Sequence, residues 1–351
     1  MRLPAVWRQG FVVAVVGLSF TLSACDPFRN PERIGANVAL RFTERHMVAP
    51  MLADDDVSMA CASGEATAPL ILATGGGLGA DDDQLATLLY TTAALCAENR
   101  SIEEELRYMR ASRVNSVEEA QDARIDQKRL AALAAQRQYK AYQRFVHYYE
   151  SKGNLHIGEK CPKFGSDFDE IVYMLGLLSG MQAIINDISS QGAVGVPKDI
   201  APKVDRAMAC LDNDKWFGVP MASRAAVWSL LPGAGEGKDP WATMKQSMRI
   251  GERKGVRLAH ALYATAAYSK ADEARLRDAL RSFSTTQDNQ DFSPNPQYRL
   301  FDRMGEMVVM HISDRYWTEH TGTRTPSGSI GKFWDDQADK PDSGVKIDDL
   351  L

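Results

Sequence analysis

No two cysteines stand in a C-x-x-C pair, no two histidines in an H-x-x-x-H pair, and no serine in a G-x-S-x-G elbow. The first absence argues against thioredoxin-type exchange and against structural zinc. The third argues against a hydrolase nucleophile turn. The six histidines (His46, His147, His156, His260, His311 and His320) are scattered, so the sequence assigns no metal, no cofactor and no catalytic residue. Basic runs are lacking too, and a net charge of -5 gives no general attraction to nucleic acid. No segment alternates apolar and polar residues as a half-buried strand does. Thr74-Gly75-Gly76-Gly77-Leu78-Gly79 lacks the Lys-Ser/Thr ending of a phosphate loop, and Asp81-Asp82-Asp83 behind it would repel phosphate. A glycine-terminated helix leading to an aspartate N-cap explains that stretch better.

What is present begins with an address. Arg2 and Arg8 precede an apolar run from Phe11 to Leu22, the layout of a secretory signal over residues 1–24. Leu22-Ser23-Ala24-Cys25 looks like the lipobox of bacterial lipoproteins, where cleavage leaves Cys25 as an acylated N-terminus. One acyl chain anchors only marginally, at about 0.8 kcal/mol per buried methylene, whereas several chains hold a protein on its membrane. The expected location is the periplasmic face of an envelope membrane, inner or outer, with residues 25–36 as a tether. Four cysteines remain in the mature chain. In an oxidising compartment an even count favours disulfides, and sequence order pairs Cys61 with Cys96 and Cys161 with Cys210. Four cysteines allow three pairings, and buried free thiols are the alternative.

The stretch Phe168 to Ile188 is the most apolar part of the mature chain. From Ile171 to Ile185 only Ser179 and Gln182 are clearly polar, which leaves a helix no solvent face. The run is shorter than the roughly 20 apolar residues of a membrane span, so a buried central helix is expected. Gly176, Gly180 and Ala183 would let neighbours come close. Asp167, Asp169 and Glu170 at its entry read as carboxylates answering the helix dipole.

Around this segment the sequence predicts helices over Val38–Ala49, Asp55–Ala68, Gln84–Glu98 and Ser101–Asn115. A long one should run to Glu150, opened by the capping box Ser116-Val117-Glu118-Glu119. Its second half puts Tyr142, Phe145, Val146 and Tyr149 on one face. Residues 189–198 read as an exposed loop. Helical units follow at Pro202–Leu211, Pro220–Leu231, after the Asp239-Pro240 cap, and at Val256–Tyr268, Asp272–Phe283 and Gln297–Trp317. Met208, Met248 and Leu280 recur about 40 and 32 residues apart, near the roughly 34-residue period of tetratricopeptide pairs. The expected fold over residues 37–317 is therefore all-α: antiparallel helix pairs, tetratricopeptide-like, packed around a buried central helix. Residues 318–351 read as a disordered tail.

The lipobox, the glycine-bearing apolar helix and three stretches together resemble the tetratricopeptide-type lipoproteins associated with TRAP transporters (the TatT family). These stretches are Val204–Asp212, Ala225–Gly233 and Gly255–Ala259 leading into Asp272–Phe283. The resemblance implies a non-catalytic periplasmic lipoprotein with a hydrophobic cavity in its bundle. Such a protein would exchange an apolar or amphipathic small molecule with a soluble solute-binding protein or another transporter subunit. Tyr173, Met174, Met181, Trp216, Phe217, Trp228, Met304 and Met307 are the candidate cavity residues, since flexible methionines and aromatics suit such walls. Trp216-Phe217-Gly218-Val219-Pro220 reads as a cavity lip. Two other readings are a scaffold for envelope assembly without a small ligand, and a lipid-transfer component.

Overall fold

The computed structural model describes residues 31–289 and 292–336, and among these the chain forms twelve α-helices and no strand. The first six are α1 (Pro31–His46), α2 (Val48–Ala53), α3 (Val57–Leu78), α4 (Asp83–Arg113), α5 (Val117–Val146) and α6 (Asp167–Ser189). The second six are α7 (Ile200–Met208), α8 (Val219–Leu230), α9 (Pro240–Lys254), α10 (Leu258–Ser269), α11 (Glu273–Asp288) and α12 (Arg299–Thr321). The signal segment, Cys25 and residues 337–351 lie outside the described residues.

The expected central helix is α6. Ser166 accepts the Asp169 N–H to open it, and its apolar length packs against α4, α5 and α7. By length and composition α6 could cross a membrane, yet 67% of its most apolar window is buried inside the fold. Its glycines explain the close fit. A Cβ at Gly176 would lie 2.5 Å from Phe145 Cγ, and one at Gly180 would lie 2.5 Å from Tyr142 Cδ2 and 2.8 Å from Ile200 Cγ2. The α5 aromatics therefore seat where α6 has no side chain. Phe145 and Tyr149 then meet Tyr173 at 5.3 and 5.0 Å in edge-on contacts, a geometry aromatic rings prefer.

The second half has a hub of its own. α10 carries buried Ala259, Ala261, Ala264, Ala266 and Ala267, small enough for α8, α9, α11 and α12 to close around it. α12 also reaches α2, α3 and α4 and so fastens one half to the other.

Several boundaries differ from the sequence reading, each for a local reason. Residues 31–36, expected in the tether, already form the first turns of α1. Pro50 does not stop that helix; it sits in the first turn of α2, where a missing N–H is harmless. α3 runs on through Pro69 to Leu78 and ends on Gly79 at φ 64°. The expected helices Gln84–Glu98 and Ser101–Asn115 are one 31-residue helix, since nothing between them breaks it. The capping box does not form: Ser116 makes no side-chain cap and Glu119 bonds Arg107. α5 stops at Val146, and His147–Lys152 continues as a π-helical turn.

The exposed loop after α6 is in fact wrapped on Asp187. Burial would raise that carboxyl's pKa, but the N–H groups of Val194, Gly195 and Val196 hold it below the ordinary range. The expected disordered tail is ordered as far as Asp336. Ile330 and Phe333 are buried, Arg277 on α11 grips Asp335 at 2.8 and 2.9 Å, and Trp334 stacks on His320 at 4.4 Å. The cysteines pair as sequence order suggests. Cys61–Cys96 joins α3 to α4, and Cys161–Cys210 ties the loop before α6 to the end of α7, with Cα–Cα distances of 5.5 and 5.3 Å.

Alanine is the better helix former by about 1 kcal/mol, yet Gly176→Ala and Gly180→Ala should each destabilise by about 1–3 kcal/mol through overpacking. Gly35→Ala on α1, with nothing near its added carbon, should stabilise by about 0.5–1 kcal/mol. Urea denaturation of the three variants checks the contrast.

Candidate functional site

Of the eight residues expected to line one cavity, seven belong to or pack against the main core, and Met307 packs with Met304 at the Cys61–Cys96 bridge. Tyr173 and Met174 are fully buried in the α5–α6 core, and Met181 packs against the same core from its edge. Trp216 and Phe217 are buried as well. Trp216 Nε1 donates to Glu170 at 2.5 Å, and both rings lie against Tyr298 at 5.9 and 5.3 Å. The expected cavity lip is thus a plug joining the start of α6 to the start of α12. Phe217 adopts a positive φ of 59°, uncommon for a bulky residue, and a Cβ on Gly218 would lie 2.4 Å from the Ser247 carbonyl oxygen. Trp228 bonds Asp205 at 2.9 Å beneath Arg224 and Lys238. Met304 and Met307 pack on the Cys61–Cys96 bridge. The entry carboxylates also have side-chain partners: Glu170 holds Lys215 and Trp216, and Asp169 holds Gln84 and the Gly165 N–H.

A cleft does exist, elsewhere and of different character. α9 and α11 flank α10 and leave a groove of about 390 Å³ between them. Lys245, Met248, Arg249 and Glu252 form one wall; Asp278, Ser282, Thr285 and Thr286 form the other, with Asn289 at its end. Lys245 is neutralised by Asp278 at 2.8 Å. Arg249 is exposed and has no ion-pair partner among the described residues. The Thr285 and Thr286 hydroxyls are spent on the Arg281 and Phe283 carbonyls, so the group the walls offer to a carboxylate or other anion is the Arg249 guanidinium.

Beneath the walls lies His260 of α10, fully buried. Its Nε2 is 3.1 Å from Glu252 Oε1 and 3.4 Å from Ser282 Oγ, while its Nδ1 has no partner. A serine–histidine–carboxylate relay needs the hydroxyl on one ring nitrogen and the carboxylate on the other. Here both compete for the same nitrogen, so the three residues clamp α9, α10 and α11 together rather than form such a relay. Among the described residues no three of histidine, cysteine, aspartate and glutamate gather as a metal shell.

Two buried polar clusters escaped the sequence reading. Arg257, just before α10, directs its backbone N–H and its Nε to Asp302 Oδ1 at 2.8 and 2.9 Å, and its Nη2 to Oδ2 at 2.7 Å. Phe283 and Phe292 sandwich the guanidinium at 4.4 and 4.3 Å, a cation–π arrangement. Its Nη1 reaches Thr286 of the cleft wall. The second cluster is Glu98, which takes amide hydrogens from Gln182, Asn186 and Gln138 without a cation. Burial raises its pKa, and the three amides only partly pull it back. The one signal for Arg257 was a single charge inside Val256-Arg257-Leu258-Ala259. Glu98 gave none, because its partners lie 40 to 88 residues away.

No family model, no curated protein and no solved structure matches the chain.

Removing one partner of the buried ion pair strands the other, so Arg257→Met should cost about 3–5 kcal/mol, with much of it recovered in Arg257→Met/Asp302→Leu; a denaturation cycle reads both. For Glu98 the raised folded-state pKa means native protein binds more protons than unfolded chain between the two pKa values. Its contribution is therefore full at acid pH and lost as pH rises through the folded pKa. Glu98→Gln should gain stability relative to wild type from acid to neutral pH, as measured by urea midpoints across that range.

Proposed function

We propose that this chain is a non-catalytic, lipid-anchored docking component on the periplasmic face of a bacterial envelope membrane, and that its partner is gripped at the α9–α11 cleft. The lipobox at Cys25 supports the anchor. The pairing of Cys61 with Cys96 and of Cys161 with Cys210 supports an oxidising compartment. The resemblance to lipoproteins that serve TRAP transporters points to a periplasmic solute-binding protein or another transporter subunit as the partner.

The observation that carries the reading is Arg249, exposed and without an ion-pair partner among the described residues, in a groove where Lys245 is taken by Asp278 and Glu252 by His260. An arginine held open to solvent can take a carboxylate in bidentate fashion, and a partner's acidic side chain is such a group. Carriage of an apolar molecule, the other job the resemblance implies, loses its support where the eight candidate wall residues pack against protein instead. The geometry at His260 likewise favours binding over catalysis, since its hydrogen bonds staple helices.

A photo-reactive residue at exposed Thr285 should crosslink a periplasmic transport protein in membranes of the native cell. Arg249→Glu should weaken that capture about tenfold or more by placing like charges in contact. Equal capture by wild type and Arg249→Glu, or no crosslink from Thr285, would overturn the assignment of the cleft.

A further inference from the structure

α1 is amphipathic the wrong way round for a helix that only packs on its own protein. It buries Ala36 and Leu40, small in number and size, and turns Ile34, Val38 and Phe42 to solvent at 50%, 63% and 62% exposure. These three are spaced by four and so form one row. Arg41 and Arg45 follow Val38 and Phe42 by three positions, which puts their row directly beside the apolar one. Neither arginine forms an ion pair among the described residues; half-buried Glu44 lies between the arginine row and the buried stripe and feels the charge of both arginines. The next position of the row is His46, whose ring lies against Phe42 at 4.4 Å. Single exposed apolar residues are ordinary, but a contiguous row with a polar border marks an interaction face.

We propose that the outward face of α1 lies in the interface of an anionic phospholipid bilayer, with Ile34, Val38 and Phe42 among the upper acyl chains and Arg41 and Arg45 at the phosphates. Two observations select a lipid surface as the occupant. Only five residues, Asp26 to Asn30, separate Cys25 from the first turn of α1. At no more than about 3.6 Å per residue, the helix starts within roughly 20 Å of an acylated Cys25. The border charge is also positive only, the complement of phosphatidylglycerol headgroups, and each basic residue near such a surface contributes about 1 kcal/mol. An interfacial helix of this kind binds by apolar insertion plus attraction to anionic lipid. Two anchors then fix the orientation of the bundle where acyl chains alone would let it swivel.

The inference rests on the membrane-anchored reading, and its test separates the two. The described fold lies wholly within residues 31–336, so a chain starting at Asp26 retains it without acyl groups. That chain should co-sediment with vesicles of phosphatidylethanolamine and phosphatidylglycerol, less with pure phosphatidylcholine, and less in high salt. Phe42→Glu, at a site too exposed to unfold the helix, should weaken the partition at least about tenfold. Binding that is absent or unchanged by Phe42→Glu would overturn the inference, as would self-association through this face, seen as a dimer that Phe42→Glu dissolves. The mass of Cys25 in protein purified from native membranes reports on the anchor alone: missing acyl groups would overturn the proposed location whatever the vesicles show.

Discussion

The α5–α6 seam is the constraint on which the first half of the molecule depends. Phe145 and Tyr142 occupy space that Gly176 and Gly180 leave empty, so the two helix backbones come closer than ordinary side chains allow. That approach brings Tyr149, Phe164 and Tyr173 into one edge-to-face cluster. Two turns beyond Gly180, Asp187 gathers the backbone of the loop that follows α6. The most apolar helix of the mature chain is thus packed directly against α5 along this seam.

The second half is built on the opposite economy of side chains, with alanine instead of glycine and with polar clamps between helices. α10 supplies buried alanines for close packing and, with Arg257 at its N-cap and Tyr263 at its middle, polar groups for attachment. Arg257 binds Asp302 on α12, and Tyr263 donates to Asp278 on α11. His260 holds Glu252 and Ser282 between them. Helices α9 and α11 are thus spaced by their bonds to α10 more than by contact with each other, and the groove between them follows from that spacing.

Helix identity was readable from the sequence almost throughout, because 3–4 periodicity and glycine or proline punctuation are local. Gly176, Gly180 and Ala183 were readable as contact points for the same reason, and so was the pairing of the cysteines once order along the chain was considered. The candidate wall residues were not readable as core. Methionine and aromatic stripes look alike whether they face a void or a neighbour, and the difference is made by residues such as Tyr298, 82 positions beyond Trp216. The cleft was hidden for a similar reason: its walls come from two helices separated by a third. The tail misled because Gly, Ser, Thr and Asp dominate it, while three residues, Ile330, Phe333 and Trp334, supply the contacts that order it.

That ordered tail has a mechanical meaning. Arg277 and Arg281, which hold Asp335 and Asp336, each immediately precede a cleft residue, Asp278 and Ser282. The C-terminal strap is therefore fastened to the back of the same helical turns whose front grips the groove. Tension on the chain beyond Asp336 would be transmitted through two guanidinium rivets to the α11 jaw of the cleft and, through the Asp278–Lys245 pair, on to the α9 jaw.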